Sequence, residues 1–138
     1  MQHETPVRFG ALLSIAWLLV PIGGCDSGLR NADVRMGLDR ARRENKLVLV
    51  EYVQLNCPHT ARMDRDILLD RGVRERMKDF VRVRRNVRLN EEEARALNVA
   101  VTPTFLVYRA DGTQVDRHDG AMSADDFRRF LIRACIKW

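Results

Sequence analysis

The sequence predicts an α/β fold, a mixed sheet flanked by helices on both faces, and three observations carry that prediction. The run Leu47-Val48-Leu49-Val50-Glu51-Tyr52-Val53 is apolar at both parities apart from Glu51, the pattern of a strand buried on both sides. Strand patterns then alternate with segments of helical period. A closing hairpin around Asp111-Gly112, followed by one more helix, makes the sheet mixed rather than parallel.

Taken in order, Asp33 can cap a first helix whose apolar positions Val34, Leu38 and Ala41 share one face. The charged segment Arg42-Arg43-Glu44-Asn45-Lys46 ends it before the buried strand. A second helix is expected from about Pro58 to Leu68. Val73, Met77 and Phe80 continue at helical spacing after the break Asp70-Arg71-Gly72. Val81 to Val87 alternates as a basic strand, and Asn90 caps a helix from Glu91 to Leu97 whose acidic start suits the helix dipole. Thr104 to Tyr108 and Thr113 to His118 form the hairpin. Ser123 and Asp126 resemble a capping box that opens a last helix with Phe127, Phe130, Leu131, Ala134 and Cys135 on its apolar stripe.

Among 138 residues, 24 Lys and Arg stand against 19 Asp and Glu, a net charge of +5. Arg82, Arg84, Arg85 and Arg88 hold much of the excess and read as a solvated basic face, or as one resting on anionic headgroups. No helix-turn-helix, finger or aromatic–basic pattern points to nucleic acid. Nothing in the residue spacing points to a metal, nucleotide or flavin, and a monomer is expected.

Residues 1–24 stand apart from the domain. Phe9 to Ile22 is mostly apolar and uncharged, shorter than the roughly 20 residues of a membrane span but suited to a signal-peptide core. It leads into Ile22-Gly23-Gly24-Cys25, which resembles a bacterial lipobox. The organisation expected is a lipoprotein-type signal peptide over 1–24, a lipidated Cys25 with a short tether over 25–32, and one domain over 33–138. The other readings are an uncleaved signal anchor or an ordinary secretory signal. Each puts the domain outside the cytoplasm, on the periplasmic side of a bacterial membrane in the lipoprotein reading.

Of three cysteines, Cys57 and Cys135 then remain, too few for a disulfide framework. Cys57 lies in Leu55-Asn56-Cys57-Pro58-His59-Thr60, between the buried strand and the second helix. A helix start offers unpaired N–H groups and partial positive charge, which favour thiolate over thiol. Pro58 is tolerated at the first helical position, and His59 can add positive charge beside the sulfur.

These residues resemble the thioredoxin-fold family over essentially all of 33–135. Cys57-Pro58-His59-Thr60-Ala61-Arg62-Met63 stands in the frame of the family's Cys-Gly-Pro-Cys-Lys-x-Met. Glu51 stands at the buried acid, Thr102-Pro103-Thr104-Phe105 at the cis-proline loop, and Gly120-Ala121 at the glycine before the last helix. Asn86-Val87 and Leu97-Asn98-Val99 look most similar to the C-terminal periplasmic domain of DsbD-type thiol:disulfide interchange proteins. The Pro-His pair resembles DsbA-type oxidases.

Two departures bear on function. Asn56 replaces the usual tryptophan, and Thr60 replaces the resolving cysteine, which excludes a dithiol cycle between positions 57 and 60. The resemblance implies Cys57 as nucleophile and Glu51 as a buried proton relay. It also implies Pro103 in cis beside the thiol, with the Thr102 backbone presented to an extended substrate. Thr60 either donates to the thiolate or fills space, and Cys135 reads as a core residue. The leading expectation is monothiol exchange on protein or small-molecule disulfides. The alternative is a catalytically degenerate module that holds a peptide or partner protein in the proline-loop groove. A third reading, cycling between Cys57 and Cys135, requires the two to meet.

Overall fold

The computed structural model describes residues 32–138; the expected signal peptide, Cys25 and tether residues 26–31 lie outside the described residues. Strand β1 (Leu47–Val53) is central because all seven of its residues are buried. It pairs in parallel with β2 (Phe80–Asn86) and antiparallel with β3 (Thr104–Tyr108), which pairs antiparallel with β4 (Gln114–Asp119). The strand order is β2-β1-β3-β4, a mixed sheet with β2 at one edge.

The two parities of β1 feed two cores. Val48, Val50 and Tyr52 meet Val34, Leu38 and Ala41 of α1 (Ala32–Glu44), with Val81 and Val83 from β2. Leu47 and Leu49 meet Met63, Ile67 and Val73 from the segment after β1, and Phe127, Phe130 and Leu131 of α5 (Ala124–Ile136). Full burial of each such side chain stabilises by about 1.5–3 kcal/mol. Asn45, left-handed at φ 51°, turns the chain from α1 into β1, so the two run antiparallel. Gly37 lets α1 sit close on the sheet, since a Cβ there would lie 2.5 Å from Val83 Cγ2.

Several expected boundaries shift, for local reasons. The helix expected over Pro58–Leu68 is α2 (Pro58–Arg62) continued by a π turn (Met63–Ile67), with Leu68 N–H donating to Met63 O at 2.8 Å. Phe80 does not extend the following helix, α3 (Arg71–Met77); it opens β2. Lys78 and Asp79 close the helix onto Glu75 O and Arg76 O, and Leu47 N–H donates to Asp79 O. Asp33 lies inside α1 rather than at its cap, and its carboxylate accepts from Arg85. Asn90 holds the N-cap position of α4 (Glu91–Ala96), its carbonyl accepting from Ala94 N–H at 2.9 Å, but its side chain makes no capping bond: it donates to Asn86 O and accepts from Arg85. Ser123 does cap α5, its Oγ accepting from Asp126 N–H at 3.1 Å.

The basic run is also corrected. Arg85 is buried, not solvated, and binds Asp33, Glu93 and Asn90. Arg84 makes a two-pronged pair with Asp64 at 2.9 and 2.6 Å. Strand alternation explains the split: Arg85 follows Val81 and Val83 toward α1, while Arg82 and Arg84 point the other way.

Candidate thiol site

Cys57 occupies the capping position of α2, in extended backbone at φ −80°, ψ 124°, with Pro58 opening the helix behind it. Asn56 provides the tight entry, left-handed at φ 65°, a conformation asparagine tolerates better than most side chains. Cys57 N–H donates to Gln54 O at 3.2 Å, and Ala61 N–H donates to Cys57 O at 3.0 Å. The thiol is half-buried and free.

The second wall is the loop before β3. The Thr102–Pro103 peptide is cis. Thr102 O lies 4.0 Å from Cys57 Sγ, and Thr102 Oγ1 lies 3.9 Å from the same sulfur. Two bonds hold this loop: Gly120 N–H donates to Pro103 O at 2.8 Å, and Thr104 Oγ1 donates to Val101 O at 2.8 Å. Gly120 adopts φ 96°, a backbone conformation that favours glycine.

These donors act on the sulfur. The thiol of Cys57 is held below its ordinary value, first by the backbone N–H of Thr60, then by that of His59 and the hydroxyl of Thr102; partial burial opposes them. Hydrogen bonds to the charged form favour it. His59 thus acts on the sulfur through its backbone N–H, and its side chain is exposed.

Thr60 is buried at 4% exposure, and its Oγ1 has no hydrogen-bond partner among the described residues. Glu51 is buried in β1. Its Oε2 accepts from Arg82 Nη2 at 2.5 Å and from Nε at 3.1 Å, while Oε1 has no partner among the described residues. Arg82 was missed as a site residue. The signal was its even spacing with Arg84 in a strand adjoining β1, which turns both toward the side where Glu51 points.

Cys135 stands apart. It lines a cavity of about 330 Å³ with Asn45, Leu47, Asp79 and Trp138, beside the first residue of β1, whereas Cys57 lies beyond the last. Seven strand residues span about 20 Å, and a disulfide needs Cα atoms within about 7 Å. Burial pushes the Cys135 thiol up, with Asp79 adding to it. The two cysteines do not meet.

The family described as "Thioredoxin-like domain" matches residues 34–134. The chain belongs to this thioredoxin-like family. Among solved structures, a thioredoxin from Thermus thermophilus is 27% identical, with TM-score 0.67, over 74% of this chain and 83% of that one. A thioredoxin from Fasciola hepatica is 25% identical, with TM-score 0.56, over 70% and 90%. The oxidised DsbD C-terminal domain of Neisseria meningitidis is 22% identical, with TM-score 0.58, over 73% and 92%; at that identity the likeness is one of fold. No curated protein matches. The thioredoxin-like fold is thus established, and it is a fold consistent with thiol–disulfide exchange.

Proposed function

We propose that this thioredoxin-like protein is a monothiol exchange protein, anchored by lipid on Cys25 outside the cytoplasm, with Cys57 as its nucleophile. One observation carries the chemistry: the Cys57 sulfur sits at a helix start, faced by the Thr102 carbonyl and hydroxyl, with a threonine where a second thiol would stand. The Cys57 thiolate attacks one sulfur of a substrate disulfide. A bond forms from Sγ to that sulfur, the substrate S–S bond breaks, and the departing thiolate takes up a proton. A second thiol, as thiolate, then attacks the mixed disulfide and displaces Cys57. Each step exchanges one S–S bond for another, so the number of disulfides is conserved: in isomerisation the second thiol belongs to the substrate itself, and in deglutathionylation it is a small thiol that ends oxidised in the product disulfide. The chemistry suits isomerisation or deglutathionylation of protein or small-molecule disulfides.

The backbone N–H groups of Thr60 and His59 stabilise the attacking and leaving thiolate. Pro103 and Thr102 form the wall along which an extended substrate lies. Glu51, engaged by Arg82, is a buried carboxyl group on the sheet face that α5 covers, already held by a cation. The anchor reading is supported by the uncharged run from Phe9 to Ile22 and by Gly23-Gly24-Cys25.

The test is release of a chromophoric thiolate from a mixed-disulfide peptide by wild type and by Cys57→Ser. Loss of release together with loss of trapped adducts supports exchange. Partner capture that persists in Cys57→Ser refutes exchange in favour of a peptide-holding module. For the anchor, Cys25→Ser abolishes labelling by radioactive palmitate.

A further inference from the structure

The direction of α1 relative to the thiol has a consequence for where the protein can act. α1 and β1 run antiparallel, so the N-terminus of α1 lies at the end of the sheet where β1 delivers Cys57. That placement is pinned. Asp33, the second residue of α1, pairs with Arg85, whose register partner in β1 is Tyr52, one residue from the strand's end. Arg85 also grips Glu93, which accepts from Tyr52 Oη at 2.5 Å.

From Cys25 to Ala32 the chain can reach about 25 Å when fully extended. A domain of this size has a radius of gyration of about 13 Å, hence a diameter of about 35 Å. A lipid on Cys25 therefore cannot seat the far end of the sheet, where Cys135 and Trp138 lie, on the bilayer. It keeps the Cys57 end nearer the membrane than the Cys135 end. The loops at that end also carry exposed apolar side chains: Leu55 before the thiol, Leu89 after β2 and Val101 before the proline, at 63%, 79% and 47% exposure. The exposed charges beside them are of both signs, Arg62, Arg88 and Arg95 with Glu91 and Glu92, and Arg95 pairs with Glu91, so the end carries no patch of one sign.

We propose that the protein works facing its own membrane, on polypeptides whose disulfide or reactive thiol lies at the membrane surface and is flanked by apolar side chains. This rests on the lipid-anchor reading and on monothiol exchange, and the experiment separates the three.

Cys57 and Cys135, free and at opposite ends of the sheet, serve as a ruler. The full lipidated chain is placed in vesicles containing a headgroup-maleimide lipid, as Cys135→Ser (Cys57 reporting) and as Cys57→Ser (Cys135 reporting). Each rate is divided by the rate with a soluble maleimide, which removes intrinsic reactivity. The normalised rate is expected to be at least ten-fold higher for Cys57. On vesicles carrying lipid-anchored mixed-disulfide peptides, the cysteine flanked by leucine is expected to exchange at least three-fold faster than one flanked by serine.

Equal normalised rates, or a preference for Cys135, overturn the orientation while leaving exchange on free peptides intact. A chain that washes off the vesicles overturns the anchor and this inference together, again without touching exchange. If Cys57 reports proximity but the flanking residues have no effect, and anionic lipid alone raises the normalised rate, the end of the domain contacts lipid and the polypeptide partner is overturned. No exchange on any peptide refutes the monothiol reading by itself.

Discussion

Arg85→Met tests whether the buried guanidinium, rather than the apolar packing alone, fastens α1 and α4 to the sheet. The Arg85 side chain is 5% exposed and pairs with Glu93, itself 11% exposed, at 3.0 Å. Removing one partner of a buried pair costs about 3–5 kcal/mol, because the remaining charge stays buried without compensation. Two features place the loss at the lower end. Tyr52 Oη still donates to Glu93, and Asp33, at 56% exposure, recovers its hydration. Methionine keeps much of the aliphatic volume, so no large cavity opens. The expected loss is therefore about 3 kcal/mol out of the 5–15 kcal/mol typical of a small domain, on the order of 12–20 °C in Tm. Urea titration and thermal melting followed by circular dichroism measure it. The double variant Arg85→Met/Glu93→Leu should lose about 1–3 kcal/mol less than the two single losses added, since the charges are removed together. A single-variant loss below about 1 kcal/mol, or strict additivity in the cycle, would refute the claim that this cluster is a buried charge clamp.

Further expectations concern the thiols and the packing. Alkylation of Cys57 against pH should give an apparent pKa below the ordinary thiol value, and Thr102→Val should raise it by removing the hydroxyl 3.9 Å from the sulfur. The sign for folding follows. Because the folded-state value is depressed, the reduced protein gains stability relative to Cys57→Ser as pH rises toward about 8.5, the unfolded value. The gain is complete above that and is lost as pH falls through the folded value; chemical denaturation from pH 5 to 9.5 reads it. At pH 7.5 a soluble maleimide should modify Cys57 well before Cys135, whose thiol burial pushes up; mass spectrometry of partially labelled protein gives the order. Thr60→Cys should yield a protein that loses both site thiols to an internal disulfide under mild oxidation, leaving Cys135 as its free thiol among the described residues. Gly37→Ala should destabilise by about 1–2 kcal/mol, the overpacking against Val83 outweighing the gain in helix propensity.

The sequence by itself determined the architecture. A run as apolar as Leu47–Val53 has only one stable place, the middle of a sheet covered on both sides, and the periodicities around it set which faces helices must cover. Local chemistry also determined the thiol's setting, because proline at a helix start and a positive-φ asparagine act within a few residues of Cys57. The tertiary structure alone decided what lies far apart in the chain but close in space. Thr102 meets Cys57 across 45 residues, and Arg82 engages Glu51 across 31. Arg85, which by composition belonged to a solvated basic face, is buried between Asp33 and Glu93. Strand register places such partners, and register is set by the whole sheet at once rather than by the residues on either side of a charge. For the same reason only the fold could separate Cys57 from Cys135, assigning them to opposite ends of one strand.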